Sequence, residues 1–159
     1  MNKNQDAVIC ISRQIRESCL RLLARREHSQ IELLNKLLVK GFDKDEILAV
    51  IDELALQGWQ SDSRYAESYA RHRIQKGYGP VFIAYELRNS GIDAVNLDDI
   101  VQKTAGSWME LLEQVYTKKY GHDRLMDRNE WAKRSRFLMQ RGFSGTMISV
   151  LFDHLNIKF

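Results

Sequence analysis

The heptapeptide LLVKGFD at residues 37–43 recurs twice along the chain, as LRNSGID at 87–93 and LMQRGFS at 138–144. A glycine commonly ends a helix because it adopts a positive φ without a side-chain clash, and Asp or Ser commonly caps the next helix. The motif therefore predicts, three times, that one helix ends and another begins, and the glycines are interpreted as helix ends rather than ligand-binding residues. Its defining residues are Gly41, Gly91 and Gly142, spaced 50 and 51 residues apart, with a leucine four positions earlier at Leu37, Leu87 and Leu138.

The segment after each glycine repeats as well. Apolar residues lie six, nine and ten positions beyond it, which is the spacing of one face of an α-helix. The three sets are Ile47, Val50, Ile51; Leu97, Ile100, Val101; and Ile148, Leu151, Phe152. No alternating pattern typical of strands is present, so the sequence predicts an all-α fold.

These anchors divide the chain into three tandem three-helix repeats. We expect an N-terminal extension at residues 1–12, followed by repeats at 13–58, 59–106 and 107–159. A repeat of this size buries little apolar surface alone, so neighbouring repeats should support each other in an elongated molecule. The predicted helices lie near 13–26, 29–40 and 43–57; 62–75, 80–90 and 93–104; and 107–120, 129–141 and 144–155.

The composition is that of a folded chain, because 44% of the residues are hydrophobic, 28% are charged and only one is proline. We find no apolar run long enough to span a membrane, and the N-terminal segment is polar. We therefore expect a cytoplasmic protein. Two cysteines, Cys10 and Cys19, are too few for a secreted disulfide framework and are predicted to be reduced.

Motifs that carry catalysis are missing. The four histidines are far apart in sequence, and neither HExxH nor a paired-cysteine spacing occurs, so we expect no metal site. The segment GYGP at 77–80 lacks the GK[ST] ending of a phosphate loop, and GFSG at 142–145 lacks the pattern of a nucleophile elbow. We therefore predict that the protein is not an enzyme and binds no cofactor.

Basic residues concentrate in two segments. Residues 64–88 carry five cations against two acids, with tyrosines interleaved, and residues 115–141 carry eight against three. Clustered Lys and Arg attract phosphate backbones and acidic protein surfaces alike, while any single one can be a solvated helix face. The candidates for electrostatic docking are Arg64, Arg71, Arg73, Lys76 and Arg88, together with Lys118, Lys119, Lys133, Arg134 and Arg141.

The stretch WQSDSRYAESYARHRIQKGYGP at 59–80 resembles the most distinctive segment of the RecX family. REHSQIEL at 26–33 and RFLMQRGF at 136–143 resemble two further family segments, and the resemblance spans roughly residues 16–155. It implies three tandem three-helix repeats in a curved, elongated array.

The resemblance also implies a function. RecX proteins bind the RecA recombinase, especially RecA filaments on single-stranded DNA, and commonly limit filament growth, ATP hydrolysis and strand exchange in recombination and the SOS response. Weak direct DNA binding is implied too. The family often has basic residues after the Gly-Pro turn, where this chain has VFIA at 81–84, so that helix is not expected to add positive charge. The alternative is an autonomous DNA-binding protein that resembles helix-turn-helix modules.

Overall fold

The computed structural model describes residues 2–124 and 126–157, and the regular secondary structure within them is α-helical. Within those residues there is no strand, and the helices follow one another in three groups of three. The all-α prediction and the three tandem three-helix repeats are therefore confirmed. The helices are α1 (Lys3–Arg25), α2 (Gln30–Val39), α3 (Lys44–Leu56), α4 (Asp62–Gln75), α5 (Pro80–Asn89), α6 (Leu97–Ala105), α7 (Trp108–Tyr120), α8 (Arg128–Gln140) and α9 (Gly145–His154).

Two helix starts differ from the sequence prediction. Helix α1 begins at Lys3 rather than near residue 13, because residues 3–12 contain neither glycine nor proline to interrupt it. Helix α6 begins at Leu97 rather than near 93, so Asp93 is not the cap that the motif predicted. Asn96 caps it instead: its side chain accepts a hydrogen bond of 3.1 Å from the Asp99 amide.

The repeat motif forms the same helix end in the first and third repeats. In the first, the Phe42 amide donates to the carbonyl of Leu37, and the Gly41 amide donates to the carbonyl of Leu38. In the third, the Phe143 amide donates in the same way to Leu138. This pairing around a left-handed glycine is the Schellman motif, which satisfies carbonyls that the helix leaves unpaired. All three repeat glycines have positive φ, 92°, 82° and 98°, which confirms them as helix ends.

Two of these glycines have a second role, because the preceding repeat packs against them. A Cβ atom at Gly91 would overlap the side chain of Ile31, and one at Gly142 would overlap Phe82. Ile31 and Phe82 each stand 60 residues before the glycine they contact. No described residue lies within 4 Å of a Cβ placed at Gly41. We call the Gly91–Ile31 and Gly142–Phe82 pairs the glycine contacts.

The chain folds into two compact units, the first formed by Met1–Ser68 and Asn89–Ile92, the second by Tyr69–Arg88 and Asp93–Phe159. In the first unit, α1, α2 and α3 bury a core around Ile15, Leu37 and Ile51. A polar network lies beside it, in which the side-chain amide of Gln60 donates to the His28 carbonyl at 3.2 Å and to the Asp62 carboxylate at 2.9 Å. Burial lowers the pKa of His28, which favours the neutral form of its ring.

In the second unit, the turn after α4 lies directly against the end of α8. The Gly79 amide donates to the carbonyl of Arg141 at 2.7 Å, and the Val81 amide donates to that of Gly142 at 3.0 Å. A Cβ at Gly79 would lie 2.5 Å from the Gly142 carbonyl oxygen, so this approach requires glycine. The GYGP segment is therefore a backbone contact between two helix ends rather than a phosphate loop.

Replacing repeat glycines by alanine should separate their two roles. We expect Gly41→Ala to lower the free energy of unfolding by about 1 kcal/mol, because only the positive φ is strained. Gly142→Ala should lower it by about 2–4 kcal/mol, because Phe82 must also move. Gly145→Ala is the matched control, since its φ is not positive and nothing lies within 4 Å of the added atom. Urea denaturation followed by circular dichroism measures all three, and a Gly142→Ala protein as stable as Gly41→Ala would disprove the glycine contact.

The two thiols should differ in reactivity. Cys10 is exposed, whereas Cys19 is fully buried, and burial raises the pKa of the Cys19 thiol to about 11. Because the thiolate is the nucleophile, we expect one rapidly reacting thiol at pH 8 in the folded protein and two after denaturation. A thiol titration with a chromogenic disulfide checks this, and two fast thiols in the folded protein would contradict it.

A candidate basic cleft in the second unit

The second unit contains a cleft of about 560 Å³, a size typical of ligand-binding clefts. Four of its described lining residues are cations, Lys76, Lys118, Lys119 and Arg141, and none is Asp or Glu. Apolar lining comes mainly from Ile74, Leu111, Val115 and Phe137. We call this site the basic cleft.

The four cations lie at the C-terminal ends of three helices. Lys76 directly follows α4, Lys118 and Lys119 lie in the last turn of α7, and Arg141 is the C-cap of α8. The C-terminal end of a helix carries partial negative charge, which favours basic residues there. Local helix chemistry therefore accounts for each cation, and packing of the helices in this unit brings them together.

Two cations are held in place by aromatic rings. The Arg141 guanidinium lies 4.9 Å from the Tyr78 ring centroid and donates to the Lys76 carbonyl at 3.1 Å. The Lys119 ammonium lies 3.7 Å from the Phe137 ring centroid. Such contacts contribute about 0.5–2 kcal/mol each and leave the positive charge unneutralised. Within residues 2–124 and 126–157, no carboxylate forms an ion pair with any of the four cations.

Arg73 lies outside the lining of the cleft and is engaged within the second unit. Its guanidinium lies 5.3, 5.2 and 5.8 Å from the ring centroids of Tyr69, Tyr78 and Phe82, and it forms an ion pair with Glu86 at 3.6 Å. The Tyr69 hydroxyl also donates to Glu86, and burial raises the pKa of that carboxyl. Arg73 therefore shares the Tyr78 ring with Arg141 and helps to hold that ring in place.

Two other predicted cations are also engaged internally. Arg134 is only 7% exposed, and it donates to the Tyr116 hydroxyl at 2.8 Å and to Glu130 at 2.9 Å. Arg64, in the first unit, forms an ion pair with Glu27 at 3.0 Å and donates to the Gly58 carbonyl at 2.8 Å. Arg134 therefore lies in the interior of the third repeat, and Arg64 donates to carbonyls of the turn that follows α3.

The remaining predicted cations, Arg71, Arg88 and Lys133, are exposed on α4, α5 and α8, and none lines the cleft. Of the ten basic candidates, the structure therefore brings four together. The sequence prediction did not include the polar and apolar lining residues Gln75, Gln114, Val115 and Phe137 as site residues. Leu111, Val115 and Lys118 follow one another at spacings of four and three on α7, which was the available signal.

The part of the chain that the structure describes contains no group of three or more His, Cys, Asp or Glu residues that could hold a metal ion. In that same part, no helix combines the length and apolar character needed to cross a membrane.

Comparisons with known proteins agree over most of the chain. Family models of the first, second and third three-helix domains of RecX match residues 16–54, 61–99 and 109–150. The Regulatory protein RecX of Legionella pneumophila (strain Corby) is 36% identical over 143 residues, covering 90% of this chain and 95% of the relative. The Regulatory protein RecX of Pseudomonas fluorescens (strain SBW25) is 39% identical over 139 residues, covering 87% of this chain and 90% of the relative.

Solved structures share the fold. A crystal structure of regulatory protein RecX superposes with a TM-score of 0.75 at 24% identity, covering 96% of this chain and 78% of that one. The crystal structure of RecX from Lactobacillus salivarius superposes with a TM-score of 0.74 at 24% identity, covering 94% of this chain and 99% of that one. With three consecutive domain models matched and curated relatives above 35% identity over nearly their full length, the chain belongs to the RecX family of regulatory proteins.

Proposed function

We propose that this protein regulates the RecA recombinase by binding RecA filaments on single-stranded DNA and limiting their growth and ATP hydrolysis. The observation that carries the proposal is the basic cleft, in which four cations without carboxylate partners in the described chain converge in a member of a regulatory family. Such a surface attracts the anionic components of a nucleoprotein filament. The proposed partner is RecA, and the proposed location is the cytoplasm.

Regulation of this kind needs binding energy and no bond chemistry. A protein that binds one assembly state of a filament more tightly than another shifts the equilibrium by the difference in binding free energy. Several modest contacts made by different repeats would add through multivalency, so no single contact has to be strong. We accordingly propose a non-enzymatic role, to which the names of the relatives as regulatory proteins lend support.

Charge reversal in the cleft should weaken regulation. We expect the pair Lys118→Glu and Lys119→Glu to raise the concentration that half-inhibits RecA's DNA-dependent ATPase at least tenfold, which corresponds to about 1.4 kcal/mol or more of lost binding. The matched control is the pair Arg128→Glu and Arg136→Glu, which makes the same charge change at exposed α8 positions outside the lining. Equal losses in both pairs would show that net charge matters and the cleft does not.

A second measurement distinguishes RecA regulation from autonomous DNA binding. If RecA is the partner, fluorescence anisotropy at physiological salt should show binding to RecA-coated oligo-dT at least about tenfold tighter than binding to bare oligo-dT. The control is the same oligonucleotide coated with single-strand-binding protein. Comparable affinity for bare and RecA-coated DNA would favour the autonomous DNA-binding alternative.

A further inference from the structure

We propose that the basic cleft binds an acidic peptide segment of RecA, one in which an aliphatic side chain is flanked by carboxylates, and not the DNA of the filament. This inference rests on the proposed function, since it names the chemistry of the element that the cleft recognises. It is argued from the charge, the apolar lining and the polar lining of the cleft.

The cations require an anionic occupant. Lys76, Lys118, Lys119 and Arg141 lie around one concave site without an acidic lining residue in the described chain. Both a phosphodiester and a carboxylate would satisfy that charge, so the cations alone do not choose between DNA and protein. The choice depends on the rest of the lining.

The apolar lining favours an aliphatic side chain over a nucleic-acid base. Proteins that bind single-stranded DNA commonly stack its bases on aromatic side chains. Phe137 is the only aromatic residue among the described lining residues, and cations already lie near its ring, with Lys119 at 3.7 Å and Arg141 at 5.5 Å from the centroid. The other apolar lining residues, among them Leu111 and Val115, are aliphatic and offer no stacking surface.

The polar lining favours a peptide backbone. Gln75 and Gln114 both line the cleft, and a glutamine side chain carries both a hydrogen-bond donor and an acceptor. A peptide presents amides that donate and carbonyls that accept, so both halves of a glutamine side chain can be satisfied. A phosphate oxygen only accepts. The combination of two glutamines, aliphatic residues and lysines is therefore better matched to an acidic peptide.

A photocrosslink from inside the cleft tests the occupant directly. In a Cys10→Ser background, Gln114→Cys is labelled with benzophenone maleimide, because Cys19 is buried and unreactive in the folded protein. The labelled protein is irradiated with RecA assembled on oligo-dT, and crosslinked products are mapped by mass spectrometry. We expect RecA segments with at least two Asp or Glu within three residues of Ile, Leu or Val. Lys118→Glu with Lys119→Glu should reduce the yield at least tenfold, and Arg128→Glu with Arg136→Glu should not.

A second readout uses the unlabelled protein, in case the label itself blocks the cleft. Overlapping 15-residue peptides covering RecA are tested by fluorescence anisotropy, and only peptides with the acidic-aliphatic pattern should bind, at least tenfold more weakly to the Lys118→Glu, Lys119→Glu protein. Crosslinks to DNA, crosslinks to RecA segments without carboxylates, or the absence of any bound peptide would overturn the inference. Failure of the proposed function is a different result, because the wild-type protein would then neither inhibit the ATPase nor bind RecA-coated DNA.

Discussion

Close packing at a glycine is the constraint on which the rest of this structure depends. The residue that ends the second helix of a repeat must take a positive φ, and in two repeats it must also leave room for a side chain from the repeat before it. Gly142 satisfies both requirements, and the carbonyl of Arg141 directly before it accepts a hydrogen bond from Gly79 in the turn after α4. That turn carries Tyr78, against which Arg141 rests, so the position of one cleft cation follows directly from a missing side chain.

Much of the fold could be predicted because it is encoded locally. The spacing of Leu37 and Gly41 specifies a hydrogen-bonded helix end, and Ser or Asp two residues after the glycine caps the next helix in the first and third repeats. The same rule failed at Asp93, because Asn96 stands directly before an acidic first turn and supplies a competing cap. The start of α1 was missed because residues 3–12 show only a weak apolar pattern, although they contain no glycine or proline that would stop a helix.

The candidate site was less predictable, because charge in a sequence does not reveal which cations are engaged internally. Arg134 and Lys118 look alike in the sequence, yet one is buried between Tyr116 and Glu130 while the other lines a cleft. The difference depends on tertiary neighbours, and a guanidinium that bonds several partners at once is better suited to burial than an ammonium. The lysines of the cleft are accordingly its solvent-facing cations. Arg73 and Arg134 are engaged within the second unit, and Arg64 is engaged within the first.

The glycine contacts also show that the repeats are not interchangeable modules. Ile31 stands ten residues before Gly41, whereas Phe82 stands nine residues before Gly91, so the two contacting side chains occupy different positions in their repeats. Exchanging the second helices of these repeats in the register of their glycines would bring Val81 to the place of Ile31 and Glu32 to the place of Phe82. A carboxylate would then have to be buried against a glycine, which is costly without a partner.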